Sequence, residues 1–299
     1  MIKRTLYFGN PAYLKKQQDQ LVVDFKDEVR PSASVPIEDI GLVVLDHQQV
    51  SLTHGLANAL ISNNAALLFC DERHLPNGLV LPMSANSLFT EKLRAQLDAS
   101  APLKKQLWKQ TAQAKIRNQA AVLTELGLPT DNMQRWAEQV GSGDPVNLEG
   151  RAAAWYWKNL FEHVDHFTRH RYGEPPNNML NYGYAILRAV VARSLVGSGC
   201  LPAMGIHHRN KYNAFCLADD IMEPYRPYVD RLVLDMVHTM EDLPEELGKE
   251  EKARLLAVPT LDVHLDGMKS PLMVAMQRTT ASLMACYEGE SRTLAYPQM

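Results

Sequence analysis

The hydrophobic pattern of this 299-residue chain changes its period close to residue 86. Before that point, short runs rich in branched apolar residues, such as Q-L-V-V-D-F and G-L-V-V-L, alternate with Asn-Pro, Asn-Asn and Pro-Asn-Gly turn signals. Beyond it, apolar residues recur with the spacing of helices. The change predicts an α+β fold, with a small β-rich domain at residues 1–85 followed by a larger all-helical domain at residues 86–299.

The helical segments can be delimited from their caps, prolines and intervening loops. One short helix, near 52–62, is predicted among the strands, and the tail after Glu288 is predicted to be mobile. The helices predicted for the second domain cover 87–98, 101–126, 131–140, 148–172, 177–198, 215–240, 247–257 and 271–287.

Cysteine usage and hydropathy exclude several classes of protein. The four cysteines are scattered without a C-x-x-C pair, so neither disulfides nor a zinc site is indicated, and free thiols are typical of a reducing cytoplasm. The start, M-I-K-R-T-L-Y-F, has no apolar signal region, and the best apolar helical run is interrupted by Arg188 and Arg193. We therefore expect a cytoplasmic protein without a membrane partner.

The net charge of −3 conceals an uneven distribution of charge. Residues 86–120 hold seven basic and two acidic side chains, whereas residues 239–252 hold six acidic and two basic ones. A chain polarised in this way can bind a phosphate backbone along one face. Lys104, Lys105 and Arg117 are therefore candidate DNA contacts, although such a stretch is often only a solvated helix face.

One short segment concentrates the groups that bind metals. It contains His208 and three carboxylates, Asp219, Asp220 and Glu223, before Arg226. On a helix these like charges, three and four residues apart, share a face and repel each other. A divalent cation would neutralise them, and a surface ion pair on an ordinary helix is the alternative interpretation.

Another carboxylate, Glu149, lies far upstream in L-E-G-R-A-A-A-W-Y-W. Burying an ionised carboxylate is costly unless it is paired or bound to metal, so Glu149 requires a partner that the local sequence does not supply. One histidine and two carboxylates gathered from distant segments would suit manganese or magnesium. On a helix, Glu149 falls on the same apolar stripe as Ala152, Ala153, Tyr156 and Leu160.

These residues carry a resemblance to a known family. The strings L-E-G-R-A-A-A-W-Y-W, N-N-M-L-N-Y-G-Y-A-I-L-R and G-I-H-H-R-N-K-Y-N-A-F-C-L-A-D-D-I-M-E-P-Y-R resemble the CRISPR-associated integrases, the first-numbered Cas proteins, and are closest to the version found in type II systems. T-L-Y-F-G-N-P-A-Y-L near the start is similar to the β-domain of that family. The resemblance extends over the whole chain.

The resemblance implies a prokaryotic, metal-dependent DNA integrase and endonuclease of antiviral defence. Such a protein joins the 3′-hydroxyl ends of protospacer duplex DNA to CRISPR repeat DNA, with Mg²⁺ or Mn²⁺ held by Glu149, His208 and Glu223. Glu223 replaces the Asp of many relatives, which leaves the ligand set intact. The alternatives are a catalytically inactive DNA-binding scaffold and a metal-dependent nuclease for branched DNA in repair.

The resemblance also implies partners. These are a second copy of the chain, joined through the β-domains, and the second-numbered Cas protein, which bridges two such dimers. In type II systems, the large RNA-guided effector nuclease is implicated in spacer choice as well.

Several neighbours of the implied ligands have more than one interpretation. His207 competes with His208 for the ligand role, but adjacent residues point differently and we predict that His208 is the ligand. Asp220 could orient the site by accepting a hydrogen bond, whereas Asp219 is predicted to lie outside it. Three further histidines have helical spacing: His163, His166 and His170. We interpret them mainly as a solvated or DNA-facing helix end rather than as a zinc site.

Overall fold

The computed structural model describes residues 3–25, 31–83 and 85–299. Strands dominate its beginning and helices the remainder, which confirms the predicted α+β fold, whereas the division at residue 85 stays a prediction. The first part consists of β1 (Arg4–Phe8), β2 (Ala12–Gln17), β3 (Gln20–Phe25), β4 (Ala33–Pro36), β5 (Ile40–Leu45), β6 (Ser51–Leu52), α1 (His54–Ser62), β7 (Ala66–Cys70) and β8 (Pro76–Val80).

The second part is mainly helical. Within the described residues, no helix combines the length and apolar character needed to cross a membrane. Its elements are α2 (Phe89–Asp98), α3 (Ala101–Glu125), α4 (Asp131–Gln139), α5 (Leu148–Leu160), α6 (Asn177–Gly197), α7 (Cys216–Met222), α8 (Arg226–Val237), α9 (Lys249–Leu255), β9 (Asp262–Leu265), β10 (Met268–Pro271) and α10 (Leu272–Tyr287).

An antiparallel hairpin of β2 and β3 organises the first sheet. Gln18 and Asp19, between the two strands, have φ values of 47° and 58°, the left-handed conformation that lets a two-residue turn follow the twist of the strands. Strand β4 pairs with β3, and β6 pairs in parallel with β2. The resulting strand order is β4-β3-β2-β6.

The second sheet connects the two parts of the molecule. Its order is β1-β5-β7-β8, with β1, β5 and β7 parallel and β8 antiparallel to β7. All six residues of β5 are buried, because Leu42 and Val44 pack against the helices while Val43 and Leu45 pack against the first sheet and α1. A strand covered on both faces shows no polar alternation, which is why it reads as a continuous apolar run.

Two predicted helices are shorter than their periodicity suggested. The helix predicted over 148–172 ends at Leu160, where Phe161 and Phe167 pack together with ring centroids 4.7 Å apart and close to Trp157. This apolar contact turns the chain, so the helical spacing of the histidines beyond Leu160 does not place them on a helix. The solvated or DNA-facing helix end predicted from them is therefore wrong in its helix, because these histidines follow the end of α5.

The continuous helix predicted over 215–240 is also interrupted. Helix α7 ends at Met222, Glu223–Tyr225 form a 3₁₀ turn, and α8 begins at Arg226. Pro224 and Pro227 lack the amide hydrogen that a regular helix would use, which favours the break. The tighter turn falls on Glu223, one of the predicted ligands.

The carboxyl end departs from the sequence prediction in two ways. The second part includes an antiparallel hairpin, β9–β10, which the helical periodicity did not reveal. The tail after Glu288 was predicted to be mobile, and this is wrong: Tyr296 is buried, with its hydroxyl 2.8 Å from Oγ1 of Thr111. The carbonyl of Pro297 accepts a hydrogen bond from the Asn118 side chain at 3.0 Å.

A buried polar group joins the second sheet to the helices. Asp46 follows β5 and is 2% exposed. Its carboxylate accepts hydrogen bonds from the Tyr7 hydroxyl and from Lys252 Nζ of α9 at 3.2 Å, and it lies 3.0 Å from His74 Nδ1. We call these four residues the Asp46 cluster. Its hydrogen bonds compensate for the burial of the charge.

Candidate active site

A buried lysine brings together the two carboxylates that the sequence places far apart. Lys115 Nζ of α3 donates a hydrogen bond to Glu149 Oε1 and lies 2.5 Å from Glu223 Oε2. The Lys115 side chain is 9% exposed and that of Glu223 is 7% exposed. We call Glu149 and Glu223 the carboxylate pair. The partner that Glu149 requires is therefore Lys115, which is one of the seven basic residues within 86–120.

Glu149 is positioned by the start of α5. Asn147 caps this helix from a left-handed conformation, with φ of 56°, and its side chain accepts from the Gly150 amide. Asp144 accepts hydrogen bonds from the Leu148 and Glu149 amides, both at 2.9 Å. These contacts satisfy the free amides of the first turn and fix the backbone from which Glu149 extends.

Glu223 is held by its own turn and by α3. Asn118 donates to the Pro224 carbonyl at 2.7 Å, which ties the 3₁₀ turn to α3. Arg226 NH1 donates to Glu223 Oε1 at 2.6 Å. Burial alone would raise the pKa of Glu223, but Arg226 and Lys115 outweigh it and lower this pKa to about 2. The carboxylate is thus ionised at neutral pH.

The charge of Lys115 matches that of the carboxylate pair. Desolvation on its own would lower the pKa of Lys115, but the nearby Glu223 and Glu149 carboxylates raise it above its usual value of 10.5. A protonated amine therefore neutralises part of the negative charge at this position. The sequence predicts that these carboxylates need a neutralising cation, and Lys115 is such a cation.

His208 is oriented by the buried Asp220. Asp220 Oδ1 lies 2.5 Å from His208 Nδ1, and Asp220 also accepts from the amides of His207 and His208. Because a carboxylate only accepts, Nδ1 carries the proton, and the Nε2 lone pair of a neutral ring remains available. Asp220 therefore makes the hydrogen bond considered for it, while its orienting role in the site stays a prediction. A Cβ at Gly205 would clash with the His208 carbonyl, so glycine permits this close approach.

The two adjacent histidines have different surroundings. The His207 ring stacks on Trp108, with centroids 3.9 Å apart and planes within 6°. The His208 ring is nearly perpendicular to it, at 86°. The two carboxylate oxygens of Asp219 accept hydrogen bonds from Arg188 and Asn213. The predicted difference in direction between His207 and His208 is therefore observed, while the ligand role of His208 stays a prediction.

The donor set fits a divalent metal in its chemistry. In the described residues, no three His, Cys, Asp or Glu side chains lie close enough together to form a ready metal site. Nevertheless, Glu149 and Glu223 converge on one cationic group, and His208 is near enough for Glu223 to contribute to raising its pKa, after the larger effect of the Asp220 hydrogen bond. Two carboxylates and one imidazole suit magnesium or manganese.

A cavity beside His208 has the character of an anion-binding surface. Its volume is about 540 Å³, and cationic side chains line it without any carboxylate. Tyr212 at its edge is 85% exposed, with Lys211 Nζ 4.9 Å from the ring centroid. The charged and aromatic residues that line it are Lys104, His208, Arg209, Lys211 and Tyr212.

Comparison with known proteins identifies the family. The sequence matches the family described as CRISPR associated protein Cas1 over residues 6–262, which is most of the chain. The chain belongs to the Cas1 family. A curated relative, the CRISPR-associated endonuclease Cas1 of Neisseria meningitidis serogroup C (strain 8013), is 37% identical over 289 residues, covering 95% of this chain and 92% of the relative.

Solved structures share the Cas1 fold. A casposase bound to integration product aligns with a TM-score of 0.80 at 19% identity, covering 98% of this chain and 92% of the other. A chain from a Cas6-RT-Cas1–Cas2 complex aligns with a TM-score of 0.75 at 18% identity, covering 97% of this chain and 35% of the other. At these identities the alignments establish the shared fold.

The structure separates the three basic residues predicted to contact DNA. Lys104 lines the cavity beside His208, whereas Arg117 lines a different groove, between α3 and the carboxyl tail. Lys105 is exposed, and its carbonyl accepts from the Gly143 amide. Lys92, from the same stretch, is paired with Glu288 at 3.1 Å. The stretch therefore does not present its charges on one face, and the DNA role of the three predicted residues stays a prediction.

Sequence reasoning missed Lys115, Arg209, Lys211 and Tyr212 as functional candidates. The signal for Lys115 was available, since it falls on the buried stripe of α3 defined by Leu107, Thr111 and Ile116. The other three lie in an irregular loop, where no periodicity marks which side chains face the site.

Proposed function

We propose that this Cas1-family protein is a divalent metal-dependent DNA integrase with nuclease competence, acting in CRISPR adaptation. One observation carries the proposal: Glu149 and Glu223, from distant segments, converge on a single cation, and Glu223 is near enough to His208 to contribute to raising its pKa. Carboxylates that converge in this way, one of them buried, are costly for stability and are typical of sites that bind a metal. The relative's name, CRISPR-associated endonuclease Cas1, supports the same reaction class.

Glu149, His208 and Glu223 would hold the metal. Bound there, Mg²⁺ or Mn²⁺ would supply Lewis-acid stabilisation of the scissile phosphate and of the attacking 3′-hydroxyl. Asp220 keeps the His208 proton on Nδ1, so that Nε2 can serve as a ligand. Arg226 fixes Oε1 of Glu223 and prevents that side chain from rotating away from the site.

The cavity beside His208 would bind the DNA end. Lys104, Arg209 and Lys211 can contact phosphates, and the exposed Tyr212 ring offers a surface on which an unpaired base can stack. With the 3′-hydroxyl of the protospacer held near His208, its oxygen would form a bond to a phosphorus of the repeat strand as the P–O3′ bond of that strand breaks. The attacking hydroxyl loses its proton to solvent, and the released 3′-oxygen takes up a proton to become a new 3′-hydroxyl. Direct transesterification of this kind needs no covalent enzyme intermediate.

The assembly we propose contains more than one chain. A structural neighbour is described as a Cas6-RT-Cas1–Cas2 complex, which supports Cas2 as a partner of this protein. By the family resemblance, we propose a homodimer joined through the N-terminal sheets and bridged to another dimer by Cas2. Protospacer and repeat DNA would lie across this assembly, and the type II effector nuclease would take part in choosing spacers.

A strand-joining assay tests the proposal. Purified protein is incubated with Cas2, Mn²⁺, a labelled protospacer duplex with 3′-hydroxyl ends, and a supercoiled plasmid bearing a CRISPR repeat. We expect label to enter the relaxed plasmid, and the same duplex with 3′-dideoxy ends is the control that cannot join.

The other outcomes distinguish the rival functions. Cleavage of the plasmid without joined label would indicate a nuclease of the repair type. Binding of both DNAs with neither cleavage nor joining would indicate a catalytically inactive scaffold. Either result would contradict the proposed integrase.

A further inference from the structure

Lys115 is the central contact of the carboxylate pair, and the proposed function assigns it no role. Its side chain is buried on α3, and its ammonium contacts oxygens from two different elements, Glu149 of α5 and Glu223 of the 3₁₀ turn. A surface lysine would be solvated and free to move between acceptors. Here the amine is enclosed, and its contacts are specific to the site.

The oxygens that Lys115 contacts are those that a metal would require. Glu223 Oε1 is taken by Arg226 at 2.6 Å, so Oε2 is its remaining oxygen, and Lys115 Nζ lies 2.5 Å from it. Lys115 also contacts Glu149 Oε1. A divalent ion that used both carboxylates would therefore meet a positive charge of the protein's own at the same place.

We propose that Lys115 is an internal cation that holds the carboxylate pair together in the metal-free protein and competes with the divalent ion for it. This inference rests on the proposed function. Two carboxylates facing each other without a cation would repel, so Lys115 preserves the geometry that the metal needs. The long, flexible lysine stem allows the ammonium to withdraw when an ion of higher charge binds. Lys115 thereby sets the metal concentration at which the site becomes active.

Removing the positive charge of Lys115 should distinguish its two roles, which are to hold the carboxylate pair together and to compete with the metal. In Lys115→Met, Arg226 still pairs with Glu223, but no cation lies between the two carboxylates, so the metal-free protein should melt at a lower temperature than wild type. Its Mn²⁺ affinity, measured by titration calorimetry, should rise about tenfold or more, because the competing charge is absent. Saturating Mn²⁺ should raise the melting temperature of the variant by more than it raises that of wild type.

Lys252→Met is the matched control. This substitution also removes a buried lysine that forms an ion pair with a carboxylate. That carboxylate is Asp46, which does not belong to the carboxylate pair. Lys252→Met should lower the melting temperature and leave the Mn²⁺ affinity unchanged. Lys115→Gln keeps a hydrogen-bond donor on a similar stem and decides the question if Lys115→Met does not fold. Lys115→Arg, which keeps the charge, should show no gain in affinity.

The failures of the two proposals can be distinguished. If wild type binds Mn²⁺ and the neutral variants bind it equally or more weakly, Lys115 does not compete with the metal and the inference is wrong. If wild type and both neutral variants bind no Mn²⁺, the metal centre itself is wrong and the inference fails with it. Binding by the neutral variants alone would show that Lys115 excludes the metal from the wild-type site, which supports the competition.

Discussion

Two buried lysines in this protein each neutralise carboxylates, but their surroundings differ. Lys252 serves one carboxylate, Asp46, which also accepts from Tyr7 and lies beside His74. Lys115 serves two carboxylates, which come from different segments and lie near His208. The first group links two parts of the fold, whereas the second brings donors of a metal-binding type together.

The number of carboxylates and the exposure of the side chains distinguish the structural ion pair of Lys252 from the candidate catalytic group around Lys115. In the Asp46 cluster the donors match the acceptor, and the carboxylate is 2% exposed. In the second group the Glu149 side chain is 21% exposed and that of His208 is 46% exposed, so solvent or substrate can reach them. Two carboxylates from distant segments that converge near an accessible histidine mark a functional site more strongly than burial alone.

The largest expected effect is a loss of strand-joining activity when the candidate active site, but not the Asp46 cluster, is altered. Glu149→Ala, His208→Ala and Glu223→Ala should each reduce strand joining by about 10³-fold or more, and double variants should be little worse, because the residues act on one ion. Initial rates in the plasmid assay measure this. Asp46→Asn, assayed below its melting temperature, is the control and should retain most joining. Near-wild-type joining by Glu149→Ala would contradict the metal assignment.

The second prediction concerns the contribution of the Asp46 cluster to the free energy of unfolding. Removing one partner of a buried ion pair costs about 3 kcal/mol or more, so Lys252→Met should lower the free energy of unfolding by that order. Chemical denaturation of the metal-free protein measures the decrease. Lys16→Met, which disrupts an exposed pair with Asp19, is the control and should leave the free energy of unfolding close to that of wild type, because solvent screens exposed charges. Equal decreases in the two variants would mean that the Asp46 cluster contributes no special stability.

The third prediction concerns the support of His208. Asp220→Asn keeps the size of the side chain but replaces one acceptor oxygen by a donor, so the His208 proton is no longer held on Nδ1. Mn²⁺ affinity and joining rate should both fall by about 10- to 100-fold, as for other residues that orient a ligand. Asp219→Asn, at a residue that we predict to lie outside the site, should leave both unchanged. A selective decrease in Asp219→Asn would reverse the assignment of the two residues.

A pH dependence follows from the same hydrogen bond. The Asp220 contact, opposed by burial, raises the pKa of His208 above its usual 6.5. Because protonation removes the Nε2 lone pair, Mn²⁺ affinity should fall as pH decreases through this raised pKa. The stability of the metal-free protein should behave oppositely: this contribution is fully present below about 6.5 and is lost as pH rises through the raised value.

Calorimetric titrations and melting curves across the histidine range measure both effects. In Asp220→Asn the midpoint of each should move to lower pH. An affinity midpoint at or below that of an ordinary histidine would contradict the Asp220 contact.

The smallest expected effect concerns the DNA path. Replacing Arg209 and Lys211 by Ala should lower the slope of log affinity against log salt by up to about 0.9 for each phosphate that is no longer neutralised. Arg117→Ala, in the other groove, is the comparison, since the charge pattern along the sequence grouped it with Lys104. Equal slope changes for the loop and for Arg117 would show that DNA follows both grooves. If the salt slope does not change when Arg209 and Lys211 are replaced, the DNA does not contact these two residues.

The sequence alone determined much of this protein. Local patterns predicted the strands, most helices and the change near residue 86, because periodicity and caps are encoded by neighbouring residues. The motifs around Glu149, His208 and Glu223 predicted the family. Glu149 required a distant partner, and this was apparent from its apolar stripe.

The tertiary structure decided which groups meet. The partner of Glu149 is Lys115, and two helices end earlier than their periodicity suggests because of contacts such as Phe161 with Phe167 and because of Pro224. Pairing between segments depends on packing and on the desolvation of charge, which no local pattern contains. In the sequence Lys115 is only one of several basic residues in the 86–120 stretch, whereas in the structure it is buried between two carboxylates and is the central contact of the candidate active site.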